Sequence, residues 1–185
     1  AGAFCSAGSL AATTCPIGSY CTLGSAAAIP CPAGRYGVTT GLTSDAQCTP
    51  CPVGHSCAAG SVAPTACNAG TLSSSEGQAT CQKCAAGSFQ DEEGAISCKV
   101  CANASYCAEG ASAPLPCPAG RHANLSLPVM TSVEQCVSCG VGTSCPVGAG
   151  TASECKPGSF TPFERQASCD ACGAGTYQDD AGATA

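Results

Sequence analysis

The chain has 185 residues, 20 of them cysteine, and a formal net charge of −6 from six basic and twelve acidic side chains. Leu, Ile, Val and Phe together number only 23 and Trp is absent, so covalent cross-links must replace much of the oily core that a chain this long would otherwise build. The acidic balance argues against nucleic acid or an anionic membrane as partner. No apolar run approaches the roughly 18 residues of a membrane span, and cysteine at this density points to an oxidising, extracellular compartment.

From Cys5 onward the cysteines are separated by 9, 5, 9, 16, 2, 5, 9, 13, 2, 13, 2, 5, 9, 18, 2, 5, 9, 13 and 2 residues. Only four kinds of gap occur. The long segments run CPAGRYGVTTGLTSDAQC (31–48), CNAGTLSSSEGQATC (67–81), CAAGSFQDEEGAISC (84–98), CPAGRHANLSLPVMTSVEQC (117–136) and CKPGSFTPFERQASC (155–169). The gap-5 segments are CPIGSYC, CPVGHSC, CANASYC and CGVGTSC, and a glycine follows almost every opening cysteine by three residues. A longer period lies on top of these: residues 51–97 shifted by 88 fall on 139–185 with 19 of 47 positions identical and five cysteines superposed. This gives cysteine modules over 1–50, a full 88-residue super-repeat over 51–138, and a partial second copy over 139–185.

Gly plus Pro is 36 residues, scattered every few positions, and no window carries a helical period. The expected fold is a set of small disulfide-rich tandem repeats, elongated, with little regular secondary structure beyond short β-hairpins. The repeated glycine suits a tight turn at positive φ. Two residues after it the long segments place Tyr36, Leu72, Phe89, His122, Phe160 and Tyr177, read as miniature cores of one bulky side chain per module packed on a disulfide.

Pairing successive cysteines gives 15–21, 31–48, 51–57, 67–81, 84–98, 101–107, 117–136, 139–145 and 155–169, with the C-x2-C and gap-9 stretches as connectors. In residue names, the bridged set is Cys15, Cys21, Cys31, Cys48, Cys51, Cys57, Cys67, Cys81, Cys84, Cys98, Cys101, Cys107, Cys117, Cys136, Cys139, Cys145, Cys155 and Cys169. The gap-5 loops leave one alternative, Cys51–Cys67 with a separate partner for Cys57. Cys5 and Cys172 are left over, and the repeat arithmetic expects their partners in a chain that continues in both directions.

Cys81-x2-Cys84-x13-Cys98-x2-Cys101 comes near zinc-ribbon spacing, but the other C-x2-C pairs lack that arrangement, and the expectation is no metal and no cofactor. His55 and His122 stand where other modules carry Thr, Ser, Tyr or Phe, and no catalytic constellation is expected. Gln90-Asp91-Glu92-Glu93 and Gln178-Asp179-Asp180 read as solvated loop tips rather than calcium loops. Asn103-Ala104-Ser105 and Asn124-Leu125-Ser126 are N-glycosylation sequons, expected to carry glycans that supply solubility in a chain poor in charge.

CPAGRYGVTTGLTSDAQCTPCPVGHSC (31–57) resembles the ephrin-receptor-like cysteine-rich repeat, C-P-x-G-x-Y, a polar loop, then C-x-x-C-P-x-G. It is also similar to the first module type of tumour-necrosis-factor-receptor cysteine-rich domains, although the C-x5-C-x9-C element is shared by neither family in that form. The resemblance implies an extracellular, disulfide-bonded array of the kind found in receptor ectodomains and large surface proteins. The expected role is a secreted or surface-displayed structural array, not an enzyme, that forms or decorates a filament, coat or adhesive stalk such as a mastigoneme or matrix fibre. Its partners would be other protein subunits, itself included, with no nucleic acid and no direct membrane insertion. The rival expectation is the cysteine-rich ectodomain of a signalling receptor that binds a protein ligand.

Overall fold

A computed structural model describes residues 1–185. Contacts divide the chain into two compact units, Ala1–Cys84 with Gln90–Cys98, and Ala85–Phe89 with Lys99–Ala185. Both are made from one piece: a cysteine, a tight turn, a two-residue strand, a second corner and a two-residue return strand. The next cysteine then opens the next copy. In the first unit Ala3–Phe4 pairs with Thr13–Thr14, Ser19–Tyr20 with Ile29–Pro30, and Arg35–Tyr36 with Thr49–Pro50. His55–Ser56 with Thr65–Ala66 and Thr71–Leu72 with Gln82–Lys83 follow. In the second unit the hairpins are Ser88–Phe89 with Lys99–Val100, Ser105–Tyr106 with Leu115–Pro116, and Arg121–His122 with Val137–Ser138. Thr143–Ser144 with Ser153–Glu154 and Ser159–Phe160 with Asp170–Ala171 complete it.

The residues between C-x2-C cysteines and the gap-9 stretches are therefore not connectors. Thr49–Pro50, for example, lies between Cys48 and Cys51, and Thr65–Ala66 ends a gap-9 stretch; both are return strands. The reason is hydrogen bonding: a two-residue strand leaves backbone groups unpaired unless the chain folds straight back on it. The turn that launches each hairpin is equally local. In Pro32-Ala33-Gly34-Arg35 the Arg35 N–H donates to the Pro32 carbonyl at 3.0 Å, and Gly34 sits at φ 84°, as the third position of a type II turn requires.

Most successive hairpins are joined by a recurring set of backbone bonds, of which the joint between the modules opened by Cys101 and Cys117 keeps only Cys107 N–H to Met130 O (3.1 Å). Between the modules opened by Cys51 and Cys67, Gly54 N–H donates to Ser73 O (2.8 Å), Cys57 N–H to Gln78 O (3.0 Å) and Gly77 N–H to Cys51 O (2.8 Å). In the second unit the modules opened by Cys139 and Cys155 repeat the set, with Gly142 to Thr161 O (2.9 Å), Cys145 to Gln166 O (2.9 Å) and Arg165 to Cys139 O (2.9 Å). This close approach excludes a side chain at the turn: a Cβ on Gly54 would overlap the carbonyl oxygen of Gly94, two modules on.

The buried residues are mainly the bridged cysteines. Leu42 joins the Cys31–Cys48 bridge in one cluster, and Ala123 and Met130 join Cys117–Cys136 in another. The rings packed on these clusters are Tyr20 and Tyr106, each from the preceding gap-5 module. The bulky positions of the long segments fall short of miniature cores: Tyr36, Leu72, Phe89, His122 and Phe160 are half-buried and Tyr177 is exposed. Each of the five half-buried ones occupies the second residue of a two-residue strand, with solvent close on one side.

Two short 3-10 turns, Asp45–Gln47 and Val133–Gln135, interrupt the two longest returns. Gln47 Oε1 accepts from the Thr43 N–H (2.6 Å) and hydroxyl (3.0 Å), and Gln135 Oε1 accepts from the same groups of Thr131 (2.6 and 3.2 Å). Arg35 and Arg121 donate to the carbonyls of Cys48 (2.7 Å) and Cys136 (3.0 Å), tying the strand to the closing cysteine.

Two glycines at similar φ separate strain from crowding. Gly158, at φ 81°, has open space where a Cβ would go, whereas Gly54, at φ 74°, does not. Gly158→Ala should lower the unfolding free energy by about 1 kcal/mol, the left-handed cost alone. Gly54→Ala should lower it by about 3 kcal/mol or more, because the joint bonds to Ser73 and the Gly94 corner are displaced as well. Thermal unfolding with disulfides intact decides, and equal losses would refute the crowding argument. Arg165 holds a corner at φ 60° where the equivalent module has Gly77, so Arg165→Gly should leave stability unchanged or raise it by up to about 1 kcal/mol.

Candidate functional site

Nine disulfides are closed, each between successive cysteines: 15–21, 31–48, 51–57, 67–81, 84–98, 101–107, 117–136, 139–145 and 155–169. Their Cα–Cα distances of 5.6–6.3 Å lie within the range a disulfide spans. Cys51 bonds to Cys57 rather than to Cys67. Cys5 is an exposed free thiol and Cys172 a half-buried one. The four cysteines at near zinc-ribbon spacing do not converge, since Cys81 pairs with Cys67, Cys84 with Cys98, and Cys101 with Cys107.

The gap-5 and long modules differ at one place that the cysteine pattern hides. Six residues after its opening cysteine, a gap-5 module has its closing cysteine. A long module puts Gly37, Ser73, Gln90, Ala123 or Thr161 there, all buried, and moves the closing cysteine to the start of the return strand. The polar members are satisfied within their own loops. Ser73 Oγ donates to Ser75 O (3.2 Å) and Thr161 Oγ1 to Phe163 O (3.2 Å). Gln90 Nε2 donates to Ser97 O (2.7 Å) while its Oε1 accepts from Glu92 N–H (3.0 Å). Gln90 and Gln178 thus anchor the acidic segments that follow them: Gln178 Nε2 donates to Ala185 O (3.0 Å) and its Oε1 accepts from Asp180 N–H (3.1 Å). The 88-residue shift, which superposes Gln90 on Gln178, carried that signal.

The histidines lie apart from any thiol chemistry. His55 Nδ1 bonds Val53 O at 3.0 Å and His122 Nδ1 bonds Ala123 O at 2.9 Å. Glu134, on the second 3-10 turn, has its carboxyl held below the usual range first by a hydrogen bond from Ser132, then by its own backbone N–H and the Arg121 charge.

One cleft stands out in the second unit, and both sequons line it. Its walls include Asn103, Ala104, Asn124, Leu125, Pro128 and Val129. It lies at the one hairpin turn where alanine replaces glycine: Ala104 has φ 63°. The bond from Cys117 N–H to the Ala104 carbonyl, 3.3 Å, is longer than its equivalents, such as Cys31 to Gly18 (2.8 Å) and Cys139 to Gly120 (3.1 Å). Ala104 carries a Cβ where one on the equivalent Gly18, Gly34, Gly54, Gly120 or Gly142 would overlap a backbone carbonyl oxygen, and the joint is wider here. The 18-residue gap between Cys117 and Cys136, the longest in the chain, supplies the loop that borders it. Asn103 is exposed. Asn124 is half-buried, and its Oδ1 accepts from Ser126 N–H at 3.1 Å.

The family model described as tyrosine-protein kinase ephrin type A/B receptor-like matches the chain twice, at residues 70–113 and 142–185. The second stretch begins 72 residues after the first, one 16-residue cysteine module short of the 88-residue period. No curated protein matches the chain. No helix is long and apolar enough to cross a membrane. Two family matches in tandem, with nine disulfides closing short hairpins around them, identify an extracellular cysteine-rich array that carries repeats of the ephrin-receptor-like family.

Proposed function

We propose that this array is a structural element of an extracellular filament, coat or adhesive stalk, with other protein subunits, its own copies among them, as partners. The observation that carries this reading is that side chains able to do chemistry are committed to the backbone fold. Eighteen of the 20 cysteines are in disulfides, both histidines bond nearby carbonyls, and the buried Ser73, Gln90 and Thr161 bond their own loops. That commitment supports a structural rather than an enzymatic role. Most joints within each unit repeat the same bonds, so another module needs no new kind of contact. A flagellar hair (mastigoneme) or a matrix fibre is the kind of assembly this suits.

A second reading, the ectodomain of a signalling receptor, is favoured by the ephrin-receptor-like match itself. Exposed Phe163 and Tyr177 would then be contact residues for a protein ligand. Immunoelectron microscopy with an antibody to residues 51–138, on cells of the native source, separates the two. Label along an extracellular filament or coat is expected. Label confined to the plasma membrane, with saturable binding of a soluble protein, selects the receptor.

Chemistry of the purified chain gives an independent check on the extracellular reading. Alkylation without reductant should label Cys5 and Cys172 alone, and a non-reducing digest should return the nine sequential loops. Reduction should unfold the chain, since each loop contributes about 2 to 3 kcal/mol in the chain-entropy model. A chain that keeps its fold after full reduction would remove the reason for an oxidising compartment.

A further inference from the structure

The cleft beside Ala104 combines three features found together nowhere else in the chain. It is the site of the alanine-for-glycine replacement, it exposes apolar side chains, and both sequons line it. It is shallow and open to solvent, so an occupant lies across its mouth. Leu125 is 68% exposed, and Pro128 and Val129 stand beside it on the same loop. Ser105 and the two asparagines give the lining a polar part as well. An occupant must therefore offer an apolar face and hydroxyl or amide groups on one small rigid body. A pyranose carrying an N-acetyl group has this chemistry, its C–H face apolar and its edges polar.

We propose that the cleft is the seat of the first N-acetylglucosamine of an N-glycan carried by Asn124. The proposal rests on the extracellular reading above. The Asn124 Oδ1 is held by the Ser126 N–H, and its Nδ2 is left unengaged. The donor is an oligosaccharide linked to a polyprenyl pyrophosphate. Nδ2 attacks the sugar C1, the C1–O bond to the pyrophosphate breaks, and the polyprenyl pyrophosphate leaves with the electron pair. One amide proton is released, and the new bond is Nδ2–C1. Once attached, the sugar stays at high local concentration over the loop and covers the Leu125 and Val129 side chains. The glycan thereby covers the cleft beside Ala104. Asn103 is exposed, so a glycan there extends into solvent and leaves the cleft unfilled.

The test uses the 185-residue chain secreted from a eukaryotic host, compared with Ser126→Ala and Asn103→Gln. Ser126→Ala destroys the second sequon but keeps the backbone N–H that Asn124 accepts from. Asn103→Gln serves as the control. Glycopeptide masses report occupancy, and amide hydrogen exchange is read over residues 123–130, before and after an endoglycosidase trims each glycan to its first sugar. The expected result is a glycan on Asn124 and exchange about twofold slower than in Ser126→Ala, as covering about 15 Å² of apolar surface implies. That protection should survive trimming and be unchanged in Asn103→Gln. Bare Asn124 in a secreted, oxidised chain would overturn the proposal and leave the extracellular reading standing, as would equal exchange with and without the sugar. A chain that fails to emerge with its disulfides closed would overturn the extracellular reading, and the proposal with it.

Discussion

Each module depends on its opening cysteine, in which three groups face three ways. In Cys51 the N–H donates back to Gly34 of the preceding module (2.8 Å), and the carbonyl accepts from Gly77 of the following one (2.8 Å). The sulfur closes the module's own loop to Cys57. Cys67 repeats this with Gly54 (2.9 Å), Gly94 (2.8 Å) and Cys81, and Cys155 with Gly142 (2.9 Å), Gly182 (2.8 Å) and Cys169. The residue is almost wholly withdrawn from water in every case. A disulfide thus fixes the backbone at the point where the intermodule hydrogen bonds converge, and small, apolar-poor hairpins can hold one another without a shared oily core.

The glycine three residues later follows from the same constraint. It turns the chain at positive φ, and within a module its missing Cβ lets a carbonyl from two modules further on come close, as Gly94 does to Gly54. Sequence variation is then pushed to positions outside that contact. The return segment between the long-module cysteines varies from 13 to 18 residues, and the residue six after the opening cysteine varies among Gly, Ser, Gln, Ala, Thr and Cys. Where variation enters the contact itself, at Ala104, the joint opens and a cleft appears. Chemical individuality in such an array therefore arises at departures from the repeat, and the two sequons lie at one of them.

The two disulfide types are alternative ways to brace one hairpin. Closure after six residues ties the turn to the end of the first strand, as in Cys15–Cys21. Closure after 14 to 19 residues ties the turn to the start of the return strand, as in Cys84–Cys98 and Cys117–Cys136. In the second type the position that would hold the closing cysteine must still be small or internally bonded, which accounts for buried Ser73 and Thr161 in a chain otherwise short of buried polar groups.

The spacing of the cysteines by itself determined the repeat, the hairpin-only fold and the turn at each Cys-x-x-Gly, because loop closure and positive φ are local demands that short sequence distances record. It did not determine what lies between the loops. The stretches read as connectors became return strands, and Tyr20 and Tyr106, outside the long segments, proved to be the rings packed on the disulfide clusters. Their role depends on which neighbour each hairpin meets, and that contact spans modules rather than residues. The shared position of Gly37, Ser73, Gln90, Ala123 and Thr161, six residues after each opening cysteine, is likewise invisible in their side chains, and its role shows only in the backbone bonds made across the joint. Asn103 and Asn124, 21 positions apart, were legible as sequons but not as neighbours. Only the opened joint, where the Ala104 methyl replaces a hydrogen, places them on one cleft.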